Sequence, residues 1–438
     1  MGCIKPSRCE GPMSTLHTPS STPVDSTRLA VPLTLKTGTV IPNRIVKAAM
    51  HESMGDAKGS PSRWLLPLYE AWARGGVGLS ITGNVMVDGK ARSEPGNVVV
   101  EDERHLELLR EWARRGSEGG TQLWMQINHP GRQAMHGLNK ENLAPSAIPF
   151  KPELAPYFPT PREIRPEEIE DIIARFANTA RIAKKAGFGG VQIHAAHGYL
   201  INQFLSPQLN QRDDYWGGTP EKRRRFLMAV YYAIRDEVGD DFPIGIKLNS
   251  ADFQKGGYDE SESMQAVLAI ADAGIDMIEI SGGTYEDPAF TGVQQPEKES
   301  TRKREAYFLD FAEKVREQTS VPLMVTGGFR TVAGMNEALH GGGLDMVGLG
   351  RLFSLDPAVP QRLLAGLDPQ HAVTPRRSGV RAVDRSGMME IVWYSHQLMR
   401  IARRGHAQPT ESVLKVALCY MLSNFVKGDI GLPKFRAS

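Results

Sequence analysis

The sequence predicts an α/β protein built as a (β/α)8 TIM barrel. From Ile45 onward, short β-branched runs alternate with longer amphipathic segments, which is the pattern of βα units around a parallel sheet. Eight such runs can be counted, which is the number that closes a barrel of this kind. The runner-up architecture is a doubly wound sheet, but its dinucleotide fingerprint G-x-G-x-x-G does not follow the first run.

Each predicted strand is a short run rich in Val, Ile, Leu or Met. The strands span 45–49, 77–83, 122–127, 190–194, 243–249, 276–281, 321–326 and 345–350. The helices predicted between them span 61–74, 103–116, 165–186, 220–238, 261–273, 303–318 and 331–339. Several helices begin at a capping residue or Pro and end at Gly, as at Ala186-Gly187.

Length and composition indicate an ordinary globular chain. One barrel with extensions accounts for the 438 residues, because single barrels often exceed ~250 residues. The formal net charge of +2 offers no field that would steer the protein onto nucleic acid. No apolar stretch approaches the ~18 residues of a membrane span, and no secretory signal opens the chain. We therefore expect a cytoplasmic protein with small-molecule partners, and a homo-oligomer stays possible.

The three cysteines lie at the two ends of the chain. Cys3, Cys9 and Cys419 show no Cys-x-x-Cys spacing, so neither a zinc ribbon nor an iron–sulfur cluster is supported. The opening Met1-Gly2-Cys3 looks like the start of an acylated protein. The myristoylation pattern, however, requires Ser or Thr at the position of Pro6, which favours an unmodified start.

Three regions follow from the pattern. Residues 1–27 are rich in Ser, Thr and Pro and are predicted to be a disordered tail. Residues 28–370 form the predicted barrel, and residues 371–438 form a helical extension with segments at 388–404 and 411–427. The extension carries eleven Lys and Arg against four Asp and Glu. It either covers the barrel wall with a solvated face or brings arginines near a partner subunit or a phosphate-bearing ligand.

The fourth strand ends in the most chemically suggestive segment. His194, His197 and Tyr199 follow it, at the strand end where barrels of this fold carry their chemistry. Imidazole and phenol groups can polarise a carbonyl, and a phenol can also deliver a proton. Zinc ligation by the two histidines is the competing interpretation, but no carboxylate or third His stands at an obvious neighbouring strand end.

Other strand ends carry groups suited to a phosphorylated heterocycle. Gln126, after the third strand, could pair with the edge of a pyrimidine-like ring, although a lone Gln more often caps strand carbonyls. Lys247 on the fifth strand adds a cation, and a buried Lys needs an anionic partner such as a cofactor atom. The seventh and eighth strands end in glycines and an arginine, where this fold often binds phosphate. These residues are Gly327, Gly328, Gly350 and Arg351.

Together these segments resemble the old yellow enzyme family, also described as NADH:flavin oxidoreductases. The resemblance runs from about Leu33 to Pro357. Its motifs are Pro42-Asn43-Arg44 through Ala49-Met50, Gly76-Val77-Gly78 with Thr82-Gly83-Asn84, the 126–132 run, the 194–218 run, and the glycines with Arg351. Each motif alone is weak, whereas the combination is specific.

The resemblance implies an FMN-dependent enzyme that takes hydride from NADH or NADPH and reduces the C=C bond of an enone or enal. It places FMN phosphate at Gly328, Gly350 and Arg351, and the isoalloxazine edge at Gln126. Ala49, Met50 and Asn84 would lie along the flavin. His194 and His197 would hold the substrate carbonyl, as in the bacterial-like His/His branch, and Tyr199 would be the proton donor. The three residues that depart from the family pattern are Lys247, His51 and Ser53.

Two alternatives stay open at this point. A metal-dependent barrel hydrolase using His194 and His197 would hold zinc and lack a flavin. A flavoprotein of this fold that oxidises or isomerises a substrate in a biosynthetic pathway, or only binds flavin, would hold FMN without reducing alkenes. The sequence predicts ping-pong kinetics for the ene-reductase, because no second nucleotide-binding domain is visible.

Overall fold

Eight parallel strands close into a barrel in a computed structural model that describes residues 25–284, 286, 308–379 and 388–419. The barrel strands are β1 Ile45–Lys47, β2 Leu79–Ile81, β3 Gln122–Asn128, β4 Gly190–Ala195, β5 Ile244–Asn249, β6 Met277–Ser281, β7 Leu323–Thr326 and β8 Met346–Leu349. Each strand pairs with the next, and β8 pairs with β1 to close the ring. The predicted (β/α)8 fold is confirmed.

Helices surround the strands in the order that the sequence predicts. They are α1 Leu65–Arg74, α2 Leu106–Gly116, α3 Pro166–Ala186, α4 Pro220–Val238, α5 Glu260–Asp272, α6 Leu309–Arg316, α7 Val332–His340, α8 Val359–Leu364 and α9 Met388–Arg404. Short helices span Thr27–Ala30, Leu200–Leu205, Leu352–Leu355 and, as a 3-10 turn, Glu118–Gly120. Short strands outside the ring are Leu33–Thr34, Val40–Ile41, Val85–Met86, Leu143–Ala144 and Arg162–Glu163.

Several predicted element boundaries shift by a few residues, and two of these shifts have a clear local reason. The second strand ends at Ile81 rather than Gly83, because the Gly83 N–H donates to the Glu52 carboxylate at 2.8 Å instead of to a strand. The first helix begins at Leu65 rather than Pro61, because Pro61 pairs in a β-bridge with Gly55.

Parts of the predicted terminal and loop elements lie outside the described residues. These parts are residues 1–24 of the tail, 303–307 of the sixth predicted helix and 420–427 of the last one. Within the described part, Thr27 opens a helical turn, and residues 413–419 are helical. Among the described residues, no helix has both the length and the apolar character that a membrane span requires.

The extension packs on the barrel rather than standing apart from it. Helix α9 lies against α1, and Leu398 and Ile401 join the main hydrophobic core. Trp393 is fully buried and donates its indole N–H to the Glu411 carbonyl at 3.0 Å. The extension therefore covers part of the barrel wall.

The barrel interior is apolar at its N-terminal end. An antiparallel hairpin, Leu33–Thr34 with Val40–Ile41, contributes Leu33, Leu35 and Ile41 to this cluster. The strands contribute inward side chains, among them Val46, Leu79, Ile81, Trp124, Met277, Met324 and Met346. A Cβ at Gly190 or Gly245 would approach the Trp124 ring to 2.7 or 2.9 Å, so glycine at these positions makes room for the indole. We call this apolar cluster, which fills the N-terminal end of the barrel, the plug.

Candidate active site

His194, His197 and Tyr199 come together where β4 ends. The His194 ring lies 4.8 Å from the Tyr199 ring and 5.2 Å from the His197 ring, centroid to centroid, edge to face in both cases. His194 is the last inward residue of β4, and the other two follow on a turn that leads into Leu200–Leu205. The sequence prediction that these three groups share the barrel mouth agrees with this geometry.

Both histidines are held in their neutral form. Burial, and next the positive charge of Lys247, keep the pKa of His194 well below its ordinary value. The pKa of His197 is lowered for the same reasons, in the same order, with His194 as a further contributor. Neutral imidazoles donate one N–H each, so the pair can hold a growing negative charge without carrying a charge of its own.

Neighbouring groups fix the orientation of the three rings. The Ala196 N–H donates to Nδ1 of His194 at 3.4 Å, which leaves the ring proton on Nε2. Nε2 of His197 lies 2.8 Å from Oγ of Ser281 at the end of β6. The Tyr199 hydroxyl lies 3.4 Å from Nδ2 of Asn84.

Below this group lies a polar layer that crosses the barrel interior. Gln126 donates from Nε2 to Gln192 at 2.8 Å, and Gln192 donates in turn to the Glu279 carboxylate at 2.8 Å. Glu279 is fully buried, and its Oε1 lies 2.8 Å from Nζ of Lys247. The Thr326 hydroxyl donates to the same oxygen at 2.7 Å.

This layer corrects one part of the sequence interpretation. The buried Lys247 was expected to need an anionic cofactor atom as its partner, but Glu279 supplies that negative charge from the neighbouring strand. Gln126 is likewise anchored to Gln192, which sets the orientation of its amide. Both residues line the interior below the mouth, and each has a protein partner: Gln192 for the amide of Gln126 and Glu279 for the charge of Lys247.

Asn84 sits at the mouth with an unsatisfied oxygen. Its Oδ1 is buried and has no hydrogen-bond partner among the described residues. The segment before it is fixed by Glu52, which accepts hydrogen bonds from the Gly83 N–H and from the Tyr69 hydroxyl. Lys47 is buried near this carboxylate and donates to the Tyr69 hydroxyl; burial lowers the pKa of Lys47 to about 8. An orphaned buried acceptor next to a fixed loop is the feature expected where a ligand N–H binds.

The glycine-rich ends of β7 and β8 are half-exposed at the same mouth. Gly327 and Gly328 have φ of 110° and 92°, a left-handed backbone that side chains rarely adopt. Gly350 packs near Met50, whose sulfur would lie 3.7 Å from an added Cβ. Ala49 and Met50 are also half-exposed. These glycines, Ala49 and Met50 thus lie at the carboxyl ends of their strands, at the same end of the barrel as His194.

Arg351 makes a contact that the sequence did not reveal. Its Nη1 lies 2.5 Å from the Glu390 carboxylate of α9, so the extension reaches the predicted phosphate site. An acidic residue of the extension thus lies at this arginine of the barrel, and the expectation that an arginine of the extension lies near a phosphate stays a prediction.

Two residues that depart from the family pattern lie on the loop after β1. His51 is fastened to the segment 94–97, with Nε2 3.4 Å from the Pro95 carbonyl and Nδ1 3.3 Å from the Asn97 amide. Ser53 is exposed and has a φ of 56°. Among the described residues, no group of three or more His, Cys, Asp or Glu side chains is arranged to hold a metal ion.

Sequence reasoning missed the residues that orient the predicted ones. These are Gln192, Asn202, Asn249, Asp252, Glu279 and Ser281. A signal was present, because polar residues recur with a period of two in otherwise apolar strands, as in Gln192-x-His194 and Glu279-x-Ser281. That spacing aims both side chains of a pair into the barrel.

Comparison with known proteins agrees with this arrangement. A family model described as NADH:flavin oxidoreductase / NADH oxidase matches residues 28–370. The chain is 40% identical over 353 residues to the NADH-dependent flavin oxidoreductase iliE of Neonectria sp. (strain DH2), covering 75% of this chain and 46% of that protein. It is 35% identical over 413 residues to the NADH-dependent flavin oxidoreductase iccE of Talaromyces variabilis, covering 86% and 99%.

A solved structure shares the architecture. The complex of a 2-naphthoyl-CoA reductase with 2-naphthoyl-CoA superposes with a TM-score of 0.72 at 27% identity, over 78% of this chain and 53% of that one. The chain belongs to the NADH:flavin oxidoreductase / NADH oxidase family, which includes the old yellow enzymes. It is a flavin oxidoreductase that uses a nicotinamide cofactor. This membership favours redox chemistry over the metal-dependent hydrolase.

Proposed function

We propose that the flavin is FMN and that the enzyme reduces the C=C bond of α,β-unsaturated carbonyl compounds at the expense of NADH or NADPH. The observation that carries the proposal is the cluster of His194, His197 and Tyr199 beside a glycine-lined opening. Two neutral imidazoles can bind one carbonyl oxygen while a phenol stands one ring away. Family membership favours this redox use of the three side chains over the metal-dependent hydrolase.

The residues at the mouth fit FMN. Asn84 offers a buried acceptor that has no partner among the described residues, which suits an N–H of a flavin ring. Gly327 and Gly328 are half-exposed and form a left-handed turn, and the backbone N–H groups of such a turn could bind a phosphate group. Gly350 and Arg351 would complete that phosphate site, and Ala49, Met50, Gln126 and Lys247 would line the ring. Bound there, FMN would accept a hydride from NAD(P)H and supply it to the alkene.

The side chains of this protein account for the remaining chemistry. His194 donates from Nε2 to the substrate carbonyl, since its Nδ1 accepts the Ala196 N–H. When the Ser281 hydroxyl donates to Nε2 of His197, the ring proton of His197 stands on Nδ1. Both donors stabilise the negative charge that develops on the carbonyl oxygen as the β-carbon is reduced. Tyr199 then gives its hydroxyl proton to the α-carbon.

One mouth serves both substrates in turn, so we expect ping-pong kinetics. The absorption spectrum of the purified protein tests the cofactor. Bands of oxidised flavin are expected, and mass spectrometry of the heat-released cofactor is expected to give FMN. Anaerobic titration with NADH and NADPH, followed by 2-cyclohexenone, then tests the two half-reactions separately. A protein that holds FAD, or that is reduced by NAD(P)H but never reoxidised by enones or enals, would contradict the proposal.

A further inference from the structure

The turn that carries His197 and Tyr199 has a strained backbone. His197 has a φ of 61° and Gly198 has a φ of 79°, so two successive residues lie in the left-handed region. A histidine in that region costs free energy, and such a conformation persists only where surrounding groups hold it. The groups that hold this turn therefore determine where the His197 and Tyr199 side chains stand.

Two buried amides hold the turn through its backbone. The His197 N–H donates to Oδ1 of Asn249 at 3.2 Å, and the Gly198 N–H donates to Oδ1 of Asn202 at 2.7 Å. Asn249 lies at the end of β5, and Asn202 lies in the short helix that follows the turn. Each amide can accept a hydrogen bond from the turn only if its oxygen, and not its nitrogen, faces the turn.

One carboxylate accepts hydrogen bonds from both amides, and the Gly283 carbonyl also accepts from Nδ2 of Asn249, at 2.9 Å. Nδ2 of Asn249 donates to Oδ1 of Asp252 at 3.0 Å, and Nδ2 of Asn202 donates to the same oxygen at 3.1 Å. An ionised carboxylate only accepts hydrogen bonds, so it attracts the NH2 end of each amide and points each amide oxygen at the turn. Asp252 is 3% exposed, and Asn249 and Asn202 are 0% and 1% exposed, so water cannot easily substitute for it.

We infer that Asp252 is a positioning residue for this active site: through Asn202 and Asn249 it holds the strained turn that sets the places of His197 and Tyr199. The inference rests on the proposed function for its catalytic consequence. Its structural part stands without that function, because it concerns the backbone of residues 197 and 198. Asp252 itself touches neither ring, and Tyr199 still delivers the proton.

The ionisation of Asp252 makes the stability of the turn depend on pH, which provides a second test. Burial raises the pKa of Asp252 to about 6. Hydrogen bonds from the side chains of Asn249, Asn202 and Ser206 and from the Tyr258 backbone oppose this rise. Two other titratable groups interact with it, the Arg132 guanidinium and the Tyr258 phenol. Protonation of Asp252 removes the negative charge that strengthens both hydrogen bonds to Oδ1. The turn is then expected to loosen as the pH falls through about 6.

The test compares Asp252→Asn with Asp259→Asn in the FMN-loaded protein. Asp259 lies on the same loop, is exposed, and caps α5, a task that Asn also performs. Backbone amide exchange of the peptide that contains residues 197 and 198 is measured by mass spectrometry. Asp252→Asn is expected to speed its exchange at least tenfold, and Asp259→Asn less than twofold. Unchanged exchange in Asp252→Asn would overturn the inference whether or not the protein reduces alkenes.

Kinetics then connect the turn to catalysis. Asp252→Asn is expected to slow alkene reduction about tenfold and to weaken binding of 4-hydroxybenzaldehyde, a phenol probe, by a similar factor. Flavin reduction by NAD(P)H is expected to stay within about threefold, with FMN content unchanged. In the wild type, probe affinity is expected to fall below pH 6, and this inflection is expected to vanish in the variant. Equal slowing of both half-reactions, or an unaltered pH profile, would contradict the positioning role.

A second variant covers the case in which Asp252→Asn does not fold. Asn202→Ala removes the acceptor of the Gly198 N–H and leaves the Asn249 bond in place. Faster exchange of the same peptide and a smaller loss of probe affinity are expected. Wild-type exchange and affinity in this variant would overturn the inference. Failure of the wild type itself to reduce any enone would instead contradict the proposed function and leave the exchange result to decide on the turn.

Discussion

The two ends of the barrel interior are built on the same strands and have opposite characters. At the N-terminal end β3 contributes Trp124 and β6 contributes Met277, both fully buried in an apolar cluster. Two residues further along, the same strands present Gln126 and Glu279 to each other through Gln192. One more step along β6 presents Ser281, which contacts His197.

This comparison shows how one scaffold separates stability from chemistry. Inward positions recur every second residue, about 6.6 Å apart along a strand. One such step along β6 leads from the buried apolar plug to the polar layer at Glu279. A second step leads to Ser281 at the mouth, beside His197. The plug can be packed for volume alone, whereas every polar group in the upper layers needs a partner. Function and folding stability are therefore expected to respond to different residues of one strand.

The largest expected effect is a difference between two positions of β6: a substitution at one lowers stability, and a substitution at the other lowers the rate of alkene reduction. Met277→Ala is expected to lower the free energy of unfolding by about 3 kcal/mol, because it leaves a cavity in the plug. Its alkene reduction rate is expected to stay within about twofold of the wild type. Ser281→Ala is expected to cost about 1 kcal/mol or less in stability, the value of one hydrogen bond. Because His197 loses its anchor, alkene reduction is expected to fall about tenfold in this variant.

Urea unfolding and stopped-flow kinetics on the same preparations check both halves of this prediction. The contrast between the two ends would fail if Met277→Ala slowed alkene reduction as much as Ser281→Ala does.

The second effect concerns the two histidines. His194→Ala or His197→Ala is expected to slow alkene reduction about 100-fold, since each removes one donor to the developing charge. Flavin reduction by NAD(P)H is expected to remain within about threefold, because that step develops no negative charge on the oxygen of a substrate carbonyl bound by these histidines. Binding of a phenol ligand, measured by spectral titration, is expected to weaken in parallel. Release of a bound metal ion by either variant would contradict this role.

The smallest effect is a pH dependence carried by His129, in the loop after β3. Burial lowers its pKa to about 4, against about 6.5 in an unfolded chain. Between these values the unfolded state binds more protons, so the contribution to stability is present above pH 6.5 and is lost as the pH falls. His129→Asn keeps an acceptor for the Gly131 N–H, which now bonds to Nδ1.

From pH 6.5 to 5.5, the wild type is expected to lose about 1 kcal/mol more stability than His129→Asn. Chemical denaturation at several pH values measures this difference. Parallel pH profiles of the two proteins would show that His129 titrates normally in the folded state.

Much of this architecture could be predicted from the sequence because its determinants are local. Each barrel strand is a short apolar run with turn residues on both sides, and the direction of a parallel strand fixes which end carries His194 or Gly350. Cross-strand partners could not be predicted in the same way. Lys247 is adjacent to Glu279 only through the register of β5 with β6, and 31 intervening residues hide that pairing in the sequence.

The same limit applies to contacts made by the extension and the loops. The ion pair of Arg351 with Glu390 depends on how α9 packs against the barrel. The orienting role of Asp252 depends on two amides from different elements that meet at one oxygen. Nothing in the local pattern distinguishes these residues from solvated surface charges, so only the packed structure identifies them.

Tyr199→Phe tests most directly whether Tyr199 gives the proton that the α-carbon needs to complete alkene reduction at this barrel mouth. The variant keeps the ring that packs against His194 and removes only the hydroxyl. Stopped-flow measurement of the two half-reactions is expected to give flavin reduction by NAD(P)H within about threefold of the wild type, and alkene reduction slower by about 100-fold or more, the size of a general-acid contribution. Equal slowing of both half-reactions, or unchanged alkene reduction, would contradict the account.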